Sequence, residues 1–167
     1  MSNEIRDWYN DYHQDIYHYV SYLHRSNDVE DIVQEVFIQA IARQNQFLGK
    51  SSVKTWLFAI ARNIAIDEWR KRERRKRILN LFKKDLVNEN KSFENKLELD
   101  EQQKQLVKWI EKLPLSYKEI VILRGIKDLT IQECAAILDW SEAKVTLTYH
   151  RAIKKLQQIK EGEKNAE

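Results

Sequence analysis

TIQECAAILDWSEAKVTLTYHRAIKKL, Thr130 to Leu156, is the stretch that decides the fold. Thr130 and Glu133 have the spacing of a capping box, in which each side chain satisfies the other residue's backbone N–H at a helix start. The apolar pattern then breaks at Asp139, Trp140 and Ser141, and Ser141 is placed to cap a second, longer helix. A short helix, a three-residue turn and a longer helix make a helix-turn-helix. Ala135 stands where two closely packed helices require a small side chain. Val145, Tyr149, Ala152 and Leu156 recur at helical spacing and form the buried stripe of the second helix. That leaves Ala143, Lys144, Leu147, His150, Arg151 and Lys154 facing outward. Short or donor side chains near a helix N-terminus suit a major groove, and the cations suit phosphates.

Upstream, QLVKWIEKL forms a short amphipathic helix from near Lys104, stopped by Pro114. SYKEIVILRGI follows, with Ser116 and Glu119 spaced as a further capping box and Gly125 as its end. Residues 78–103 differ in character, with four Lys against six Asp and Glu and sparse apolar residues. Such a composition reads as a linker.

The first half repeats the helical logic. Ile5, Trp8, Tyr9, Tyr12, Ile16, Tyr19, Val20 and Leu23 recur at steps of three and four over residues 4–24. Residues 28–46 carry an apolar stripe of Ile32, Val33, Val36, Phe37, Ala40 and Ile41, with Asp28 at the N-cap. Asp31, Gln34 and Glu35 give that helix an acidic outer edge. FLGKSS, residues 47–52, is a loop marked by Gly49 and two serines. A long helix then runs from about Val53 to Arg77, with Val53, Leu57, Ile60, Ala61 and Ile64 facing inward. Trp56, Asn63, Asp67 and Arg70 fall within about 40° of one line on another side, at 100° per residue. That line leads into RKRERRKR, residues 70–77, seven cations and one Glu. Cations for phosphates, with aromatics near a loop, are the means by which single-stranded DNA is held.

Composition bounds the rest. The 167 residues contain only 3 Gly and 1 Pro, too few for the tight turns of a sheet protein. The net charge is +3, so binding to a polyanion must come from clustered charge. Cys134 is the lone cysteine, which excludes an internal disulfide, and the four histidines lack metal spacing. No phosphate-cradling glycine loop, nucleophile elbow or paired carboxylates point to catalysis. A non-enzymatic chain without metal or cofactor is expected. The start, MSNEIRDWYN, is unlike a signal peptide, and no run approaches a membrane span, so the expected location is cytoplasmic.

In order and spacing these segments resemble an RNA polymerase sigma factor of the extracytoplasmic-function group. YHQDIY, SSVKTW and SEAKV resemble its sigma-X-like branch. The resemblance implies an all-α chain of two small helical domains, residues 1–77 and 104–160, joined by a flexible linker over 78–103 and followed by a tail over 161–167. DVEDIVQEVFIQAI resembles region 2.2, implying that Asp31, Gln34, Glu35, Phe37 and Ile38 dock on core RNA polymerase. FLGKSSVKTWLFAIARNIAIDEWRKR resembles regions 2.3 and 2.4. It implies contact with the −10 element through Phe47, Leu48, Gly49, Lys50, Ser51, Ser52, Trp56, Asn63, Asp67, Arg70 and Arg74. Residues 113–156 resemble region 4. They imply −35 contact through Ser141, Ala143, Lys144, Thr146, Leu147, Thr148, His150, Arg151 and Lys154. Family members often read Val-Lys-Ser-Arg where this chain has Val145, Thr146, Leu147 and Thr148, and Gly where it has Asp139. The implied partners are the β and β′ subunits of core polymerase, promoter DNA and an anti-sigma factor bound to the membrane. The chain itself is expected to be monomeric when free and to insert into no membrane. The competing reading is a stand-alone helix-turn-helix repressor or activator, which would bind duplex DNA without polymerase.

Overall fold

The structure, a computed structural model, describes residues 3–24, 28–82 and 98–166. Among these residues every regular element is helical. The chain divides into two compact units, one up to Leu97 and one from Glu98 onward.

The first unit is built on α1 (Asn3–Leu23), α2 (Val29–Arg43) and α3 (Val53–Leu81), which pack pairwise on one another. Its core comes from the expected stripes. Ile16, Tyr19, Val20, Val36, Leu57 and Phe58 are at or near zero exposure. The Phe58 ring lies 5.1 Å from that of Tyr19, tilted by 38°. Each such side chain contributes about 1.5–3 kcal/mol when removed from water. Three expectations need correction. Ile41 is 38% exposed, because it sits past the edge of the α2 stripe. Val53 and Ile64 are half-buried, while Thr55, Phe58, Ala65 and Ile66 supply buried positions in α3. Asp28 occupies the N-cap position of α2 without a side-chain cap bond. Its charge instead opposes the lowering of the Arg72 pKa that burial causes.

The second unit begins with α4 (Glu101–Glu111), α5 (Leu115–Ile120) and a π-turn (Val121–Ile126). It ends with α6 (Ile131–Leu138) and α7 (Glu142–Lys164). Asp100 and Gln103 form a capping box at α4, so the helix starts inside the segment expected to be linker. At the other end of that segment α3 continues to Leu81. The remainder of the linker expectation lies outside the described residues. The Ser116–Glu119 box does not form: Pro114 is the N-cap, α5 starts at Leu115, and Glu119 is 2% exposed. Gly125 does not end a helix either. It lies within the π-turn, facing the Tyr149 hydroxyl. The connection to α6 is closed by Leu129 N–H donating to Leu123 O at 3.1 Å and Arg124 Nη1 donating to Leu129 O at 2.9 Å.

The box at Thr130 and Glu133 is present in both directions, at 2.7 and 3.1 Å. Cys134, fully buried behind it, has its thiol pushed up to about 11 by desolvation. That keeps it protonated and unreactive at neutral pH. The expected tail is a correction as well, since α7 runs on to Lys164. Glu163 accepts hydrogen bonds from Trp109 Nε1 at 2.6 Å, Gln105 Nε2 at 2.8 Å and Lys112 Nζ, which fastens the end of α7 to α4. These bonds, Lys112 first, hold the Glu163 carboxyl below its ordinary pKa.

Candidate nucleic-acid and polymerase interfaces

On α2, burial of the stripe leaves Asp31, Gln34, Glu35 and Ile38 on the outer face, all exposed. Gln39 Nε2 donates to Glu35 Oε1 at 3.1 Å, one turn apart. Ile38 is 57% exposed, an apolar residue amid acids, and Ile41 extends it one turn on. Phe37 departs from the sequence expectation. It is 5% exposed and packs edge-on against Tyr9 at 4.9 Å. It therefore supports the face from below and does not lie on it. Spacing places Phe37 in the stripe and the family resemblance implies it in the interface; its packing is that of the stripe.

The loop before α3 has a built geometry. Gly49 takes a positive φ of 68°, which a residue without Cβ adopts at low cost. Ser52 caps α3, accepting from the Thr55 N–H at 3.1 Å. Phe47 and Trp56 lie 5.0 Å apart, and Trp8 of α1 meets them at 6.0 and 5.7 Å, both nearly edge-on. Gln46, Phe47, Leu48, Lys50, Ser51 and Trp56 line an open cavity of about 190 Å³. Leu48 stands at its rim, 73% exposed. By spacing Trp8 belongs to the apolar series of α1, as Ile5 and Ile16 do. It completes this cluster, and nothing in its spacing distinguishes it from a buried residue.

From the cavity the exposed line Asn63, Asp67, Arg70 and Arg74 runs along α3. The charge block beyond is not uniform. Lys71 pairs with Glu68 at 3.2 Å and Lys76 with Glu73 at 3.7 Å. Arg72 is half-buried, and after desolvation by burial its charge helps hold the His24 pKa below its usual value. Arg70, Arg74, Arg75 and Arg77 are the exposed arginines of the block.

In the second unit α6, the turn and α7 form the expected helix-turn-helix. Asp139 ends α6 in the left-handed conformation, φ 56° and ψ 46°. Trp140 N–H donates to Ala135 O at 3.0 Å. Ser141 caps α7 through the Lys144 N–H at 3.1 Å. The Lys144 ammonium lies 4.4 Å from the centre of the Trp140 ring, a cation–π contact. Ala143, Lys144, Thr146, Leu147, His150, Arg151 and Lys154 are exposed, and Thr148 is half-buried. His150, Arg151, Ile153, Lys154 and Gln157 border a shallow depression of about 500 Å³. Among the described residues no group of three His, Cys, Asp or Glu could hold a metal ion. No described helix is long and apolar enough to cross a membrane.

These two surfaces, an aromatic loop running into a basic helix and a basic helix-turn-helix, have the chemistry of a DNA-binding protein. Comparison with known proteins agrees. Residues 8–75 match the family model for sigma-70 region 2, and residues 98–156 match that for sigma-70 region 4. The extracytoplasmic-function sigma factor SigX of Bacillus subtilis is 37% identical over 162 residues, covering 94% of this chain and 84% of that protein. Sigma factor YlaC of the same organism is 30% identical, covering 90% and 88%. Among solved structures, the fold is similar to RpoE of Bartonella quintana in complex with the anti-sigma factor NepR. The TM-score is 0.74 at 20% identity, covering 96% of this chain and 98% of that one. It is also similar to CnrH in complex with the cytosolic domain of CnrY, with a TM-score of 0.71 at 21% identity, covering 95% and 88%. The chain belongs to the extracytoplasmic-function group of the sigma-70 family. It binds core RNA polymerase and promoter DNA and directs transcription initiation.

Proposed function

We propose that the first unit docks on polymerase and opens the −10 element, and that the second reads the −35 element. The observation that carries this division of labour is the aromatic-walled cavity at residues 46–56 leading into the exposed line Asn63, Asp67, Arg70 and Arg74. A base leaving the duplex loses stacking and pairing worth a few kcal/mol. Phe47 and Trp56 offer a replacement stacking surface, Lys50 and Ser51 offer donors, and Asn63 offers an amide to a base edge. Arg70 and Arg74 hold the flanking phosphates. Asp31, Gln34, Glu35 and Ile38 of α2 bind a basic surface of the β′ subunit, and the −35 duplex meets α7 from Ser141 to Lys154.

Polymerase supplies all the chemistry, and the sigma chain contributes no catalytic group, metal or cofactor. It acts in the cytoplasm and is monomeric when free. The two functional domains follow the two compact units, the first including α3 as far as Leu81 and the second starting at the Asp100 cap of α4. Residues 161–164 belong with the second domain, because Glu163 ties them to α4. Control by an anti-sigma factor is part of the proposal, supported by the two similar folds, each in complex with its named partner. The partner for this chain would be membrane-bound and would cover both DNA-facing surfaces.

The docking assignment predicts that Asp31→Arg lowers affinity for core polymerase by roughly tenfold or more, since reversing a charge at a complementary interface costs up to several kcal/mol. Asp31 is exposed, so the fold tolerates the change. Fluorescence anisotropy of labelled chain against core enzyme measures it, and unchanged affinity would remove α2 from the interface.

A further inference from the structure

The outward face of α7 has an unusual composition for a helix that reads base edges. At 100° per residue, Ala143, Arg151 and Lys154 all lie within about 40° of Leu147. Leu147 is 51% exposed, and Ala143 beside it is exposed too. The centre of the reading face is therefore apolar, framed by cations at its C-terminal end. Two donors of the first turns are engaged elsewhere. Thr146 Oγ1 donates to Glu142 O at 3.0 Å, within its own helix. The Lys144 ammonium is held over Trp140, to one side of the line. A helix pressed into a major groove with an apolar centre meets one apolar group on base edges, the C5-methyl of thymine.

We infer that Leu147, with Ala143 beside it, selects the −35 element by packing against a thymine methyl. Arg151 and Lys154 seat the helix on the flanking backbone. This rests on the assignment of α7 to the −35 element and adds the chemistry by which that element is chosen. Hydrogen-bond readout by the first two turns is correspondingly small, and specificity there resides in shape and methyl contact. The cations at the C-terminal end of this face support duplex DNA as the occupant of the exposed leucine, since they attract a polyanion.

The test uses holoenzyme assembled from the full chain and core polymerase, on a promoter selected from a pooled library. Each thymine of the −35 element is replaced in turn by uracil, which removes the methyl and leaves every hydrogen-bonding group in place. At fixed salt, one or two replacements should weaken holoenzyme binding about fourfold each, the worth of one buried methyl. The same replacements should have no effect with Leu147→Ala, whose fold is checked by circular dichroism. No methyl dependence with the native chain would overturn the inference. Equal dependence in Leu147→Ala would overturn it as well, by assigning the contact to another residue. Failure to obtain any promoter dependent on the chain would instead overturn the −35 assignment beneath it, and the inference with it.

Discussion

Asn63→Ala should lower open-complex formation at a cognate promoter about tenfold or more, while affinity for core polymerase stays unchanged. The side-chain amide is exposed on α3, between the aromatic cavity and the arginines. Good amide contacts to a base are worth about 1–3 kcal/mol, which is roughly five- to 150-fold in an equilibrium constant. No core contact is lost, so the fold is retained, and the effect falls on DNA. Permanganate reactivity of unpaired thymines at the −10 element measures it, with polymerase binding followed in parallel. Equal opening by native and variant chains would take Asn63 out of the interface. A joint loss of polymerase affinity would place it in the wrong one.

Phe58→Ala should have the largest effect on stability, about 3–5 kcal/mol, the range for truncating a fully buried aromatic. Phe58 has no exposed surface, and its ring packs on Tyr19, joining α3 to α1. The polar line and the loop cavity both depend on how α3 is seated. For a unit of this size each kcal/mol lowers the midpoint by about 4–8 °C. Calorimetry should therefore show the transition of the first unit falling by well over 10 °C. A change of only a few degrees would mean that α1 and α3 are not held together through this ring.

The uneven legibility of the sequence has a physical cause. The Thr130–Glu133 box, the Ser141 cap and the α7 stripe at Val145 and Ala152 were readable, because each is set by residues within one or two turns, whereas Tyr149 and Leu156 of that stripe are only half-buried. The same local logic failed at Ser116 and Glu119, which match the box spacing while Glu119 is needed inside the second unit. It failed at Gly125 because the chain widens into a π-turn against Tyr149, a contact across 24 residues. Trp8, Phe37 and Glu163 share that difficulty. Whether Trp8 is core or cavity wall depends on Phe47 and Trp56. Phe37 is withdrawn from the surface by Tyr9, and Glu163 is recruited by Lys112, Trp109 and Gln105 on another helix. The basic block was visible as charge, but the partial burial of Arg72 and the helical pairs of Lys71 and Lys76 reduce the cations available to DNA.

Periodicity alone distinguishes the exposed helix positions from the buried ones. Asp31, Gln34, Glu35, Asn63, Asp67, Arg70, Lys144, Leu147 and Arg151 all emerge on the expected outer surfaces. What periodicity could not supply was the shape of the loop, since the positive φ of Gly49 and the aromatic cluster create a cavity that no spacing announces.

The measurement that bears most directly on the central claim is in vitro transcription with bacterial core polymerase on a pooled promoter library, with and without this chain, mapping RNA 5′ ends. The account predicts discrete start sites that appear only when the chain is present and that share two elements, one near −35 and one near −10. Start sites unchanged by the chain, with duplex binding retained in its absence from polymerase, would contradict it and favour a stand-alone DNA-binding regulator.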